Sequence, residues 1–238
     1  MIAILSDIHS NLAALRAVIE DAVVRGCTSI LSLGDVVGYH AQPGPCIDLL
    51  AQYGAINILG NHDHYLISEE NCQRSKVVAS IIEYQKRIVT PAQLAWLRGS
   101  LDSLKEGGSL FVHGGPGDPR DQYLYAIDDD TVPEGVERLF SGHTHVQALM
   151  RVAGAKWYCN PGSVGQPRDG DCRAAYAILD NGQIELRRVA YDIEETVAAM
   201  KAAGFEPFLY ENLYIGAQIG GRIDKIKYID RNDRHESH

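Results

Sequence analysis

The chain is 238 residues long (26.1 kDa), with 45% hydrophobic and 22% charged residues, which supports one large core and excludes a disordered or fibrous protein. Lys and Arg number 22 against 31 Asp and Glu, a formal charge of −9, so the chain is unsuited to general binding of nucleic acid or anionic membrane. A small phosphorylated substrate stays compatible with this balance, provided that positive charge is supplied locally.

The five cysteines, at 27, 46, 72, 159 and 172, are scattered, form no C-x-x-C pair and read as reduced thiols of an intracellular protein. No window approaches the ~18–20 apolar residues of a membrane span. Met1 leads straight into an apolar run, and the first chemically interesting residue is Asp7, which a cleavable signal peptide would remove. The expected location is the cytoplasm.

Along the chain, the apolar run Ile2–Leu5 predicts a strand, and Leu12, Leu15, Ile19, Ala22 and Val23 share one face of a helix. A run at 29–33, a helix near 47–52 and a run at 55–59 complete a β-α-β-α-β series, which implies a parallel sheet with helices packed on it. From about 65 to 107 the pattern turns helical. Val77, Val78, Ile81, Ile82, Ile88 and Val89 have helical spacing, and Thr90-Pro91 opens another helix. This stretch reads as an insertion within one domain spanning 1–238. Strands resume at Ser109–Val112 and Arg138–Ser141, then as a meander at 147–152, 156–159, 173–179 and 183–191, with a hairpin turn at Asp180-Asn181-Gly182. A helical tail starts near 193, and the polar segment 231–238 is expected to fray.

Five of these predicted strands end in polar clusters: Ser6-Asp7-Ile8-His9, Gly34-Asp35, Gly60-Asn61-His62-Asp63-His64, His113-Gly114-Gly115 and Gly142-His143-Thr144-His145. Parallel strands share one carboxyl edge, where ligands bind, so residues distant in sequence reach one place. Asp7 and His9, and again His143 and His145, are two apart; in near-extended chain each pair points to one side. Taken singly, Asp7 or Asn61 could cap a helix, Asp35 could serve a turn and His113 could be structural. Jointly, six of the nine histidines sit at these strand ends, which no structural role requires.

Asp7, His9, Asp35, Asn61, His113, His143 and His145 make seven metal-ligating groups; with one carboxylate, most naturally Asp35, bridging two ions, each ion receives four protein contacts. Imidazole, carboxylate and amide donors without thiolate suit two divalent or mixed-valence ions of Mn, Fe, Zn or Co. Four protein contacts leave positions open for water and substrate, which points to catalysis.

The succession D-x-H, G-D, G-N-H-D, H-G, G-H-T-H resembles the calcineurin-like metallophosphoesterase superfamily over nearly the whole chain. Asn160-Pro161-Gly162-Ser163-Val164-Gly165 is similar to the N-P-G-S segment of its short bacterial and archaeal phosphodiesterase-like branch. The resemblance implies an α/β fold of four layers, α-β-β-α, with two mixed sheets face to face and helices outside. It implies one ion on Asp7, His9, Asp35 and His145 and the other on Asp35, Asn61, His113 and His143. It also assigns His62 to the leaving group, with Asp63 orienting it.

Two such ions ~3.5–4 Å apart would clamp a phosphate and lower the pKa of a bridging water, whose hydroxide attacks phosphorus in line. His62 could then protonate the leaving oxygen. The expected activity is hydrolysis of phosphoric esters, as a phosphodiesterase or phosphatase acting on a small substrate such as a nucleotide. Dinucleoside polyphosphates would serve the same chemistry. A protein phosphatase is disfavoured, because Gly34-Asp35-Val36-Val37-Gly38-Tyr39 lacks the arginine of the G-D-x-V-D-R-G run in those enzymes. A non-catalytic scaffold is disfavoured because the ligands and His62 are all in place.

Weaker signals leave alternatives open. Asn11 either donates to phosphate or starts the first helix, and Arg168 either reaches a phosphate or belongs to a tight connection over 160–171. His40 is read as an exposed loop residue or a substrate contact, and His64 as a local cap. Tyr123 and Tyr125 either stack on a nucleobase or pack at the margin of the core. Asp118, Arg120 and Asp121 read as solvated charge on a loop that could line the substrate pocket.

Overall fold

In the computed structural model, which describes residues 1–230, the first half of the chain runs β1 (Ile2–Leu5), α1 (Leu12–Val24), β2 (Ser29–Ser32), α2 (Pro43–Gln52) and β3 (Ile56–Asn57). The three strands are parallel. Asn11 caps α1 by accepting from the Ala14 amide. Helix α2 starts earlier than apolar spacing indicates, at Pro43, whose fixed φ and missing N–H suit a first helical position. Three helices follow, α3 (Asn61–Ile67), α4 (Lys76–Lys86) and α5 (Pro91–Arg98), the last opened by a reciprocal cap between Thr90 and Gln93. Helix α3 has no apolar period to announce it, because its first turns are the polar run Asn61-His62-Asp63-His64.

The second half contributes β4 (Leu104–Glu106), β5 (Ser109–Val112), β6 (Ala126–Ile127), β7 (Arg138–Ser141), β8 (Ala148–Arg151), β9 (Trp157–Asn160), β10 (Ala174–Asp180) and β11 (Gln183–Val189). Helix α6 (Ile193–Ala202), two short 3-10 turns and β12 (Lys227–Tyr228) complete it. The hairpin β10–β11 turns on Asn181 and Gly182, both at positive φ (48° and 82°), as a tight turn between twisted strands requires. The short strands β4, β6 and β12 are too brief to carry a period. The predicted tail 231–238 lies outside the described residues.

Two five-stranded mixed sheets result, ordered β11-β10-β1-β2-β3 and β4-β5-β7-β9-β8, with a two-stranded ribbon of β6 and β12. Strand alternation sorts the side chains into three layers. Ala3, Leu5, Tyr176 and Ile178 face the helical side of the first sheet, under α1 and α2. Ile4, Leu31 and Ala177 of that sheet meet Phe111, Phe140 and Cys159 of the second to form the layer between the sheets. Val112, Leu139 and Tyr158 turn to the far side of the second sheet. Leu124, Ile127, Val132 and Val136 cover them there, so that cover consists of irregular chain and the short ribbon while the helices gather on the other side. No helix among the described residues is long and apolar enough to cross a membrane.

Phe140, fully buried and stacked on its sheet neighbour Phe111 at 4.8 Å between ring centroids, belongs to this middle layer between the sheets. Phe140→Ala is expected to cost about 3–5 kcal/mol of unfolding free energy, read as a lowered urea midpoint with an unchanged slope.

Candidate metal centre

The polar ends of β1, β2, β3, β5 and β7 meet on one edge of the sandwich, three from the first sheet and two from the second. The chain is not extended there. Asp7 (φ 52°), His9 (φ 49°), Asp35 (φ 53°), His143 (φ 64°) and His145 (φ 59°) are all left-handed, as are Ser10 and Tyr39. This corrects the expectation that each pair of ligands two apart shares a side of extended backbone. His9 and His145 do approach one another, but His143 turns instead toward His113.

Main-chain bonds hold these turns. Asp7, His9 and Ser10 donate their amides to the carbonyls of Gly34, Asp35 and Val36 at 2.8–3.0 Å, which zips the loop after β1 to the loop after β2. The amides of Val164 and Gly165 close on the carbonyls of Ser6 and Asp7 from the other side, at 2.9 and 3.0 Å. Gly165 is obligatory: a Cβ there would collide with the Ile8 carbonyl. Gly38 likewise leaves room for the His62 ring.

Seven side chains from these turns converge, nearly or wholly out of solvent. His145 Nε2 lies 3.3 Å from Asp7 Oδ1 and 3.0 Å from His9 Nε2. Asp35 Oδ2 lies 3.7 Å from His9 Nε2 and 3.4 Å from His113 Nε2. His113 Nε2 in turn lies 3.2 Å from Asn61 Oδ1 and 3.1 Å from His143 Nδ1. Asp7, His9 and His145 form one set that could hold a metal ion, and Asp35, His113 and His143 another. A third grouping, His9, Asp35 and His62, overlaps both.

The outer nitrogens set the tautomers. Nδ1 of His9, His113 and His145 donates to the carbonyls of Val37, Leu33 and Gln166 at 2.7–2.9 Å. A carbonyl can only accept, so each ring, when neutral, turns an Nε2 lone pair inward. Burial lowers the pKa of His9 and of His145, and neighbouring cationic groups lower them further. For Asp7 burial acts upward, yet His145, His113 and the Ser6 hydroxyl together hold the carboxyl well below its ordinary range. Asp35 is lowered in the same way against its burial, mainly by His113 and His62. His113 shows the reverse: burial pulls it down, but Asp35, Asp7 and Asp63 bring it up to about 9.

His62 also reaches the cluster, its Nε2 3.9 Å from Asp35 Oδ2 and its ring edge-on to His9 at 4.8 Å between centroids. Its Nδ1 has no hydrogen-bond partner among the described residues. The expected orienting bond from Asp63 is not there. Asp63 instead accepts from the amides of Val37 and Gly60 at 3.2 and 3.3 Å, pinning the loops after β2 and β3 to each other. Burial and the neighbouring Asp35 raise its carboxyl to about 7.

Asn11 stands apart. Beyond the α1 cap its amide donates to the Gly165 carbonyl and the Tyr191 hydroxyl at 2.9 and 3.3 Å, and its oxygen accepts from Thr196, so no donor remains for a phosphate. Arg168, only 6% exposed, stacks over the Tyr39 ring at 5.3 Å and keeps its buried Nε without a partner. It lines a cleft of about 460 Å³ with Tyr39, Tyr123, Tyr125 and Arg222. His40 is not an exposed loop residue: it is fully buried and donates to the His9 carbonyl at 2.7 Å. Tyr123 packs against His143 and Tyr125, at 3.8 and 5.6 Å between ring centroids. His64 pairs locally with Glu70 at 3.3 Å.

Several supporting residues escape sequence reasoning. Gln85 of α4 donates to Ser10 and to the His40 carbonyl while accepting from the Gly38 amide, which ties α4 to the loop after β2. Asn160 donates to the Gly142 carbonyl and to Thr144, and Ser163 donates to the Asp7 carbonyl. The Gly- and Pro-rich run after Asn160 was the available signal for the last two; a lone glutamine inside a helix gives none.

Residues 1–183 match the family profile described as the calcineurin-like phosphoesterase superfamily domain. The chain is 34% identical to the uncharacterized protein MJ0912 of Methanocaldococcus jannaschii, over 91% of this chain and 98% of that one. In structure it is similar to a metallophosphoesterase from Sphaerobacter thermophilus, with a TM-score of 0.77 and 31% identity over 90% of this chain and 99% of the other. Hypothetical protein PH1004 from Pyrococcus horikoshii OT3 shares the fold at the same TM-score of 0.77, at 20% identity over 92% of this chain and 100% of the other. With this match across most of its length, and with its clustered His and Asp side chains able to hold metal, the chain belongs to the calcineurin-like phosphoesterase superfamily and is a metallophosphoesterase.

Proposed function

We propose that the protein hydrolyses small phosphoric esters, phosphodiesters or nucleotides among them, with two transition-metal ions of the class Mn, Fe, Zn or Co. The observation that carries this reading is the 3.0 Å approach of His9 Nε2 to His145 Nε2 while both Nδ1 atoms donate elsewhere. Two inward lone pairs at that distance repel each other unless a cation lies against both. Asp7, His9, Asp35 and His145 would hold one ion and Asp35, Asn61, His113 and His143 the other, with Asp35 common to both sets. Nitrogen and oxygen donors without thiolate suit these metals. When bound, the pair supplies Lewis-acid stabilisation of charge on the phosphate and an activated water.

The remaining work falls to the chain. Arg168 is the cation suited to phosphate, since its buried Nε lacks a partner and a guanidinium fork matches phosphate oxygens. His62 is the proton donor to the leaving oxygen. Burial lowers it to about 4, so the free protein holds it neutral at pH 7; an anionic phosphate brought beside it favours the protonated form. Asp63 acts at one remove, by fixing the loops on which Asp35 and His62 stand. A reducing cytoplasm suits the five cysteines, all free thiols.

The test is metal analysis of protein purified without chelator, followed by a panel of alkyl, nitrophenyl, nucleotide and phosphopeptide esters. Phosphate release that chelation abolishes and added Mn restores is expected; inactivity across the panel with ions loaded would refute the proposal. His62→Gln should slow hydrolysis of alkyl esters by roughly 10²–10⁴ and of nitrophenyl esters much less, because nitrophenolate leaves unaided. Equal losses on both would remove His62 as the acid. Asp35→Asn should weaken both ions together in calorimetric titration, since the shared oxygen loses its charge. Two ions bound as in wild type would exclude Asp35 as the bridge.

A further inference from the structure

Of the four imidazoles in the two ligand sets, three anchor their outer nitrogen on a main-chain carbonyl. His143 departs from that pattern. It turns Nδ1 inward, 3.1 Å from His113 Nε2, and its outer Nε2 is buried without a hydrogen-bond partner among the described residues. The charged group facing that nitrogen is Asp121, with Oδ1 at 3.7 Å. Tyr123, two residues further along the same loop, lies against the ring at 3.8 Å between centroids.

Asp121 is held from two sides. Its amide donates to the Asp118 carboxylate at 3.2 Å, and its own carboxylate accepts from Arg74, at 2.5 Å, on the segment leading into α4. The Arg74 guanidinium also lies 6.0 Å from the Tyr123 ring centroid. An imidazole that binds metal through Nδ1 must carry its proton on Nε2, and a buried N–H needs an acceptor. The Asp121 side chain is 35% exposed, so an adjustment of under about 1 Å brings its oxygen into hydrogen-bond range.

We infer that Asp121 is the positioning residue for His143, accepting the Nε2 proton so that Nδ1 is oriented and made more basic toward its ion. A carboxylate in this place raises ligand basicity and fixes the ring, which the neutral carbonyls behind the other three histidines do less strongly. The inference rests on the two-ion reading above and adds an asymmetry to it: of the two ions, the one on Asp35, Asn61, His113 and His143 depends on the loop carrying Asp121.

Calorimetric titration of the metal-free full chain with Mn²⁺ tests this, with circular dichroism as the check on folding. Wild type is expected to bind two ions. Asp121→Ala should weaken one of them by about 10–100-fold and leave the other as it was. Asp121→Glu should recover most of the loss, and Asp121→Asn, close in shape and uncharged, should show a smaller loss in the same direction should the alanine variant not fold. Arg74→Ala separates positioning from a mere loop tether, because it removes one of the two holds on Asp121 but keeps the carboxylate, and should cost clearly less than Asp121→Ala. Unchanged affinities in the folded Asp121 variants overturn the inference while leaving the hydrolase reading intact, and an Arg74→Ala loss equal to that of Asp121→Ala overturns it too. A wild-type chain binding fewer than two ions removes the two-ion reading, and the inference with it.

Discussion

Three main-chain carbonyls, those of Leu33, Val37 and Gln166, decide what the buried histidines can do. By accepting from Nδ1 of His113, His9 and His145 they aim the opposite nitrogen of each ring inward, as a lone pair wherever the ring is neutral, which burial favours for His9 and His145. The protein thereby folds around a set of donors that repel one another, and it tolerates the repulsion because the rings are held by elements whose stability comes from elsewhere. A cation bound by such a set would relieve that repulsion, and its binding would then add to the stability of the fold. The carboxylates contribute from the opposite side. Asp7 and Asp35 stay ionised against full burial because the imidazoles around them provide positive potential, which makes the site a balanced cluster of both charges.

The same carbonyls can be reached only because the backbone is strained. Among the described residues, eight non-glycine positions have positive φ; seven of them are Asp7, His9, Ser10, Asp35, Tyr39, His143 and His145. Each left-handed L-residue costs roughly 1–2 kcal/mol, so the loops carry a load comparable to the net stability of an average domain. The load is offset by amide bonds from one strand-end loop to the next, by the Asp63 and Gln85 side chains that clamp those loops, and by a sandwich core beneath. Concentrating the strain at the strand ends, where two sheets converge, gives a cluster whose geometry is set before any ligand arrives.

What could be read from the sequence follows the strength of each local signal. Parallel strands with helical crossovers, the Asn-Gly hairpin and the polar strand ends all carry strong patterns, and the metal-type side chains were named from their types and places alone. Less was legible where chemistry overrode periodicity. Asn61-His62-Asp63-His64 begins a helix although nothing in it is amphipathic, since Asn61 and His62 reach the cluster and Asp63 accepts from the loop after β2. Spacing predicts extended geometry for Asp7 and His9, whereas the turn needs left-handed residues that no spacing rule reports. Asp63 sits beside His62 in sequence yet serves Val37 and Gly60, because adjacency along a helix directs neighbouring side chains apart. His40 and Gln85 were illegible for a simpler reason: each satisfies main-chain groups of a loop whose path is known only once the fold is.

The overall charge of −9 opposes an anionic substrate only if charge is counted without distance. Surface potential decays over about 8 Å at physiological ionic strength, whereas an ester at the strand ends would lie against buried groups that solvent screens far less. Arg168, at 6% exposure, and any cations held by the imidazole and carboxylate sets therefore outweigh scattered surface carboxylates at contact range. The balance changes with the size of the substrate. A polyanion would gain little counterion release from a chain of net negative charge, whereas a small ester would meet mainly the groups at the strand ends. A net negative charge is thus compatible with the small phosphorylated substrate proposed for this site.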